Sequence, residues 1–169
     1  GDVILIPEIP WTYDNILAKI DERTRMGKNF TLVVVAEGAS LPSGDLVGQE
    51  SDNMQTKLGG IGQIVTEELD RRIEQDVRCV VLGHLQRGGG PTTFDRVLSS
   101  QYGAHAVRLI VEKKFGQMVC YDPPDILDAS IEEAVGNLRT VNPVGSAVNT
   151  AKAMGICFGD TPGYANPFH

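Results

Sequence analysis

Absences bound this chain first. Among its 169 residues there are only three cysteines, Cys79, Cys120 and Cys157, about forty residues apart and never arranged C-x-x-C. That spacing argues against a disulfide framework and against a zinc site, and points to a reduced, cytoplasmic setting. Long apolar runs are also lacking. The stretch LVVVA from Leu32 is far short of a membrane span, and the N-terminus shows no charged, then apolar, then small-residue order of a signal sequence. A soluble protein with no membrane partner is expected. Basic residues are few, 15 Lys and Arg against 22 Asp and Glu, for a formal net charge of −7. Aromatics make up only 6% of the chain and never interleave with a basic run, so nucleic acid is not an expected partner. What is present is 41% hydrophobic, enough for one domain with a sizeable core or for part of a larger one, and 1–169 reads as a single domain.

The organisation lies in alternating patterns. VILI at 3–6, TLVVVA at 31–36 and RCVVL at 78–82 are short continuous apolar runs, each suited to a strand buried on both faces. Between the first two, Ile16, Leu17, Ile20 and Thr24 recur at helical spacing, with Thr12 placed to cap the start and Gly27 to end the helix. Between the second and third, Ile61, Ile64, Val65, Leu69, Arg72 and Ile73 do the same. A further helix from about Thr93 carries Phe94, Val97, Leu98, Tyr102, Ala106 and Leu109 on one side, which makes Phe94 and Tyr102 core residues and His105 a structural histidine. QMVCYD at 117–122 reads as another strand, and SIEEAVGNLR as a helix capped by Ser130 with Glu133. Strand and helix alternate as right-handed crossovers require. The class is α/β, an open, mostly parallel sheet with helices on both faces.

One segment resists this pattern. GASLPSGDLVGQESDNMQTKLGG, 38–60, has no sustained period and many turn formers, and reads as a mobile loop or flap or as a surface excursion. Its glycines Gly59, Gly60 and Gly62 do not make a dinucleotide fingerprint, because Val65 stands where the third glycine belongs and no strand leads into them.

The chemistry is concentrated in VLGHLQRGGGPTTFDR, 81–96. If RCVVL is a parallel strand, the loop Gly83–Gly90 leaves its carboxyl end, the edge where open α/β sheets bind ligands. Gly88, Gly89 and Gly90 admit a ligand close to the backbone, Pro91 suits the entry to the next helix, and that helix's unpaired N–H groups favour an anion. Arg87 supplies a planar fork for phosphate or carboxylate, while His84 and Gln86 supply hydrogen bonds. Glu37, directly after TLVVVA, emerges on the same edge and can accept from hydroxyls. These features suit a phosphorylated, hydroxyl-rich small molecule, although three glycines and a proline also simply turn a corner. Arg78, at the opposite end of its strand, lies about 20 Å from His84 at strand rise and reaches a different ligand or pairs internally with Asp76 or Glu74.

GHLQRGGGPTTFDRVLSSQYGAHAV resembles the signature of the 6-phosphofructokinases. Looser similarity runs from DVILIPE at Asp2 through VVVAEGA at Val33 and AVGNLRTV at Ala134 to AKAMGICFGD at Ala151. The resemblance implies a phosphofructokinase-like three-layer sandwich and phosphoryl transfer to the 1-hydroxyl of fructose 6-phosphate in glycolysis, from ATP with Mg2+ or from pyrophosphate. It makes Glu37, His84 and Arg87 contacts to the sugar phosphate, and Arg78 the arginine that reaches a neighbouring subunit's substrate in a homodimer or homotetramer. The family's glycine-rich donor-phosphate loop and threonine-x-aspartate catalytic segment match nothing here, so the resemblance implies a C-terminal, substrate-binding half whose partner is its own missing N-terminal half and which is inactive without it. No catalytic residue and no metal ligand is therefore expected in this chain. At the family's nucleotide effector site, Asp2 and Lys28 match the pattern, while Met26 and Phe30 replace polar positions. A non-catalytic sugar-phosphate-binding or regulatory module is the alternative, and the intact His84, Gln86 and Arg87 favour the enzyme.

Overall fold

The computed structural model describes residues 1–46, 48–50, 56–58, 60–136 and 139–162. It divides into two compact units: the first comprises 1–81 with 141–169, the second 82–140.

In the first unit, β1 (Val3–Leu5) pairs in parallel with β2 (Val33–Val35), Val3 opposite Val33, Ile4 opposite Val34 and Leu5 opposite Val35. The other edge of β1 is met by Cys157 in a parallel bridge, where Ile4 N–H donates to the Cys157 carbonyl at 2.9 Å and Cys157 N–H donates to that of Asp2 at 3.0 Å. Side chains alternate across a strand, and here each face of β1 has its own cluster. Val3 and Leu5 pack with Trp11, Ile16, Ile20, Ile61, Val65 and Leu69, whereas Ile4 and Ile6 join Ile9, Val148 and Phe158. Helices α1 (Tyr13–Arg25) and α2 (Ile61–Asp70) therefore cover one face, and α5 (Ser146–Ala153) the other. This gives the expected helices on both faces of a parallel pair.

Local signals explain the helix limits. Thr12 Oγ1 accepts from Asn15 N–H at 3.3 Å at the start of α1. After Arg25 the chain passes through Met26 to Gly27, whose φ of 74° is open to glycine without strain. The 38–60 segment is not structureless throughout. Ser40 and Leu46 form an antiparallel bridge, and β3 (Gly48–Glu50) pairs antiparallel with β4 (Thr56–Leu58). The remainder of the expected loop, 47, 51–55 and 59, lies outside the described residues.

One expected strand is not formed. Arg78–Leu82 is irregular, with Val80 73% and Val81 83% exposed. A β-branched run suits a strand, but a strand also needs a partner for its backbone groups, and β2 is hydrogen-bonded only to β1 among the described residues.

The second unit opens with a 3-10 helix, Gly83–Arg87, followed by α3 (Thr93–Val111), a hairpin of β5 (Gln117–Asp122) and β6 (Asp125–Ser130), and α4 (Ile131–Gly136). β6 is absent from the sequence expectations. It pairs antiparallel along its full length with β5, from Gln117 opposite Ser130 to Asp122 opposite Asp125. Ser130 ends that strand, and no capping bond to Glu133 occurs among the described residues; positions 137–138 of the expected helix lie outside them. His105 is buried as expected, its Nε2 3.2 Å from Asp128 Oδ1 and its Nδ1 2.6 Å from Arg108 Nη2. Phe94 is not core: it is 57% exposed and sits edge-on against Tyr121, ring centres 5.9 Å apart.

Candidate functional site

The four candidate residues fall in both units. Glu37 and Arg78 belong to the first, His84 and Arg87 to the second. Glu37 follows β2 after Ala36, whose N–H donates to the Leu5 carbonyl at 2.9 Å, and it lies on a turn closed by Ala39 N–H to the Ala36 carbonyl at 3.0 Å. Its side chain is exposed at the carboxyl end of the parallel pair. Arg78 is also exposed. Its Nε and Nη2 both donate to Asp76 Oδ2, at 2.9 and 2.8 Å. This is the internal ion pair weighed as its alternative role, and at this exposure such a pair is worth little. Because Arg78–Leu82 is not extended, strand rise no longer gives its distance from His84.

His84 and Arg87 share one short element. Residues three apart eclipse in a 3-10 helix, so the two side chains project from the same side while Gln86 falls on another. The helix is closed by Leu85 N–H to the Leu82 carbonyl at 2.9 Å and by Gly88 N–H to the Leu85 carbonyl at 3.1 Å. Both residues are exposed, and neither side chain has a hydrogen bond or ion pair among the described residues. The imidazole and guanidinium are thus presented together.

The glycines permit this shape. Gly83 has φ of 46° and Gly89 of 98°, where a side chain would be strained. At Gly88 a Cβ would stand 3.2 Å from the Leu85 carbonyl oxygen, a tight contact that would need that oxygen to give by a few tenths of an ångström. Beyond Gly88, no backbone or side-chain hydrogen bond involves Gly89, Gly90 or Pro91 among the described residues.

The helix start departs from expectation. Thr92 caps α3 in a reciprocal box: its N–H donates to Asp95 Oδ2 at 2.7 Å, its hydroxyl bonds the same oxygen at 2.8 Å, and Asp95 N–H donates to Thr92 Oγ1 at 3.2 Å. The Thr92 backbone and side-chain bonds hold the Asp95 carboxyl below the usual carboxylate range. The helix therefore supplies an anion of its own to the Thr92 N–H, while Thr93 and Phe94 N–H have no hydrogen-bond acceptor among the described residues. The T-x-x-D spacing at 92–95 is the signal that could have revealed the box.

The first unit also holds a cavity of about 270 Å³ lined by Tyr13, Leu41, Pro42, Ser43, Ile64, Glu67, Glu68 and Arg71. Its charges are satisfied internally. Arg71 reaches Glu68 at 2.7 Å, and Arg72 Nη2 reaches it at 2.5 Å while its guanidinium lies 4.9 Å from the Tyr13 ring centre. Arg72 and then Arg71 pull the Glu68 carboxyl below its ordinary value. Burial, followed by the Glu68 charge, pushes the Tyr13 phenol up.

No helix among the described residues is long and apolar enough to cross a membrane. In comparisons with known proteins, the profile of the Phosphofructokinase family matches residues 1–110. The chain is 46% identical over 160 residues to the ATP-dependent 6-phosphofructokinase of Chloroflexus aggregans, covering 95% of this chain and 44% of that protein. It is 43% identical over 160 residues to ATP-dependent 6-phosphofructokinase 1 of Synechocystis sp., again with 95% and 44% covered. With ATP-dependent 6-phosphofructokinase 2 of Clostridium perfringens the identity is 42% over 164 residues, covering 95% of this chain and 45% of the other. The chain thus spans less than half the length of these relatives. The family match takes in β1, β2, the glycine loop and most of α3 together, and on that extent the chain belongs to the phosphofructokinase family.

Proposed function

We propose that this chain is the sugar-phosphate-binding part of an ATP-dependent 6-phosphofructokinase, acting in the cytoplasm and in glycolysis. Its substrate is fructose 6-phosphate, whose 1-hydroxyl receives the phosphoryl group. One observation carries the proposal: His84 and Arg87 lie on one side of an exposed 3-10 turn, followed by glycines that leave the backbone approachable. A permanently charged planar guanidinium can grip a phosphate through two parallel bonds. The His84 imidazole beside it can bond a phosphate or sugar oxygen, and the Glu37 carboxylate can accept from sugar hydroxyls. Relatives bearing the ATP-dependent name support ATP over pyrophosphate as donor.

The remaining chemistry is assigned outside this chain. Phosphoryl transfer requires held donor phosphates, charge neutralisation and an oriented nucleophile. Among the described residues no three His, Cys, Asp or Glu side chains converge to hold a cation. We place magnesium, ATP and the catalytic base in an N-terminal half. This chain's residues bind and orient the acceptor, and Arg78 completes the site of a neighbouring subunit in a homo-oligomer.

The test is calorimetric titration of fructose 6-phosphate into the full-length protein. Arg87→Ala weakens binding by about 1.5–3 kcal/mol, roughly ten- to a hundredfold, and Arg87→Lys recovers only part. Unchanged affinity in the alanine variant would return the loop to a simple corner.

A further inference from the structure

The glycine loop needs an anchor that its own backbone does not provide. Between the Gly88 N–H, bonded to Leu85, and the Thr92 N–H, bonded to Asp95, no hydrogen bond holds the chain among the described residues. Three of the intervening or bordering residues are glycines, which lose more conformational freedom on ordering than any other residue. A ligand that must order such a segment loses affinity by that entropic cost. Binding by His84 and Arg87 therefore depends on how firmly both ends of the tract are fixed. At the far end Thr92 is tied to the helix by Arg96 N–H to its carbonyl at 3.1 Å and by Asp95 N–H to its Oγ1 at 3.2 Å, and the one side-chain group that grips both its backbone N–H and its hydroxyl is Asp95 Oδ2.

We propose that Asp95 is a positioning residue for the sugar-phosphate loop: through Thr92 it holds the end of the Gly88–Pro91 tract so that His84 and Arg87 are presented in one orientation. This rests on the assignment of that loop to the sugar phosphate. Asp95 does not touch the ligand. Its carboxylate is turned to the helix start, and its effect on binding is exerted by restricting the free loop.

Fructose 6-phosphate binding to the full-length protein tests this, by calorimetry and by kinetics, at a temperature where circular dichroism shows each variant folded. Asp95→Ala should weaken binding by about three- to tenfold, and the loss should fall on KM for fructose 6-phosphate more than on kcat. Asp95→Asn keeps an oxygen that accepts from Thr92 N–H and should stay within about twofold of the parent. Ala104→Gly, at an exposed position inside α3, weakens the same helix without touching the loop and should leave affinity unchanged. Parent-like affinity for Asp95→Ala, an asparagine variant as weak as the alanine one, or an equal loss in Ala104→Gly would each overturn the proposal. Arg87→Ala separates the two readings. If it loses affinity while Asp95→Ala does not, only the positioning role fails; if it keeps affinity, the loop assignment fails first.

Discussion

Arg23 joins three segments that residue spacing does not connect. Its Nη1 lies 2.8 Å from Asp2 Oδ1, its Nε donates to Thr31 Oγ1 at 3.2 Å, and its Nη2 donates to the Phe30 carbonyl at 3.0 Å. The other Asp2 oxygen accepts from Leu32 N–H at 2.8 Å. The end of α1, the following loop and the start of β1 are thereby clipped together by a partly buried fork. Removing it strands Asp2 and two further acceptors, so Arg23→Ala should cost about 1–3 kcal/mol in urea denaturation. Arg23→Lys should recover only part, since an ammonium cannot reproduce the fork. Tyr13 gives a pH test. Its phenol is raised above its unfolded value by burial and by Glu68, so the associated stability is present below the ordinary phenol range and is lost as pH rises through the raised value. Urea midpoints should fall more steeply in that alkaline window for the parent than for Tyr13→Phe. At this scale the Arg78–Asp76 pair, two residues apart, was already named as an alternative in the sequence, whereas the Asp2 clip depends on a chain reversal that spacing does not encode.

At the scale of elements, α1, α2 and α3 were legible because apolar positions recur at helical spacing, with Thr12 marking the start of α1. Strands fared unevenly. Val3–Leu5 and Val33–Val35 form as read, yet the equally apolar Arg78–Leu82 does not, since a run of Val and Leu states a preference and not a partner. β6 was missed for the converse reason: Asp125 and Asp128 interrupt any apolar pattern, and Pro123–Pro124 lie in the turn that joins it to β5. The hairpin is tied to α3 by His105, and the bond chemistry fixes its tautomer. Arginine only donates, so Nδ1 facing Arg108 accepts and the ring proton sits on Nε2 toward Asp128. Nitrogen-resolved NMR of the histidines should show the Nε2–H tautomer for His105; an Nδ1–H tautomer would contradict the geometry. His105→Ala should cost about 1–3 kcal/mol by leaving Asp128 and Arg108 without their shared partner.

For the whole molecule, membership of the family was legible in one signature loop, while the relation of that loop to Glu37 was not, because it depended on an extended Arg78–Leu82. The chain alone should turn over no fructose 6-phosphate with ATP or pyrophosphate. A coupled assay on the rigorously purified chain checks this, and turnover would mean that the catalytic groups lie here after all. Assembly is tested by mixing full-length chains carrying Arg78→Ala with chains carrying Arg87→Ala. If Arg78 acts across an isologous interface, hybrids regain one complete site; confirmed hybrids without recovery, from parents each severely impaired, would assign Arg78 to its Asp76 pair alone.

The parallel bridge between Val3 and Cys157 also governs how the protein is born. A ribosome delivers β1 near the beginning of this stretch, but the backbone that completes its second edge, and the α5 residues that cover Ile4 and Ile6, emerge only after the entire second unit has been made. During translation Val3–Leu5 must therefore wait with one edge and one apolar face open. The second unit, contiguous in sequence, has all its strands and helices in hand before the first can close. At about 5–20 residues per second, that wait lasts several seconds, a window in which a nascent-chain chaperone would find β1 still open.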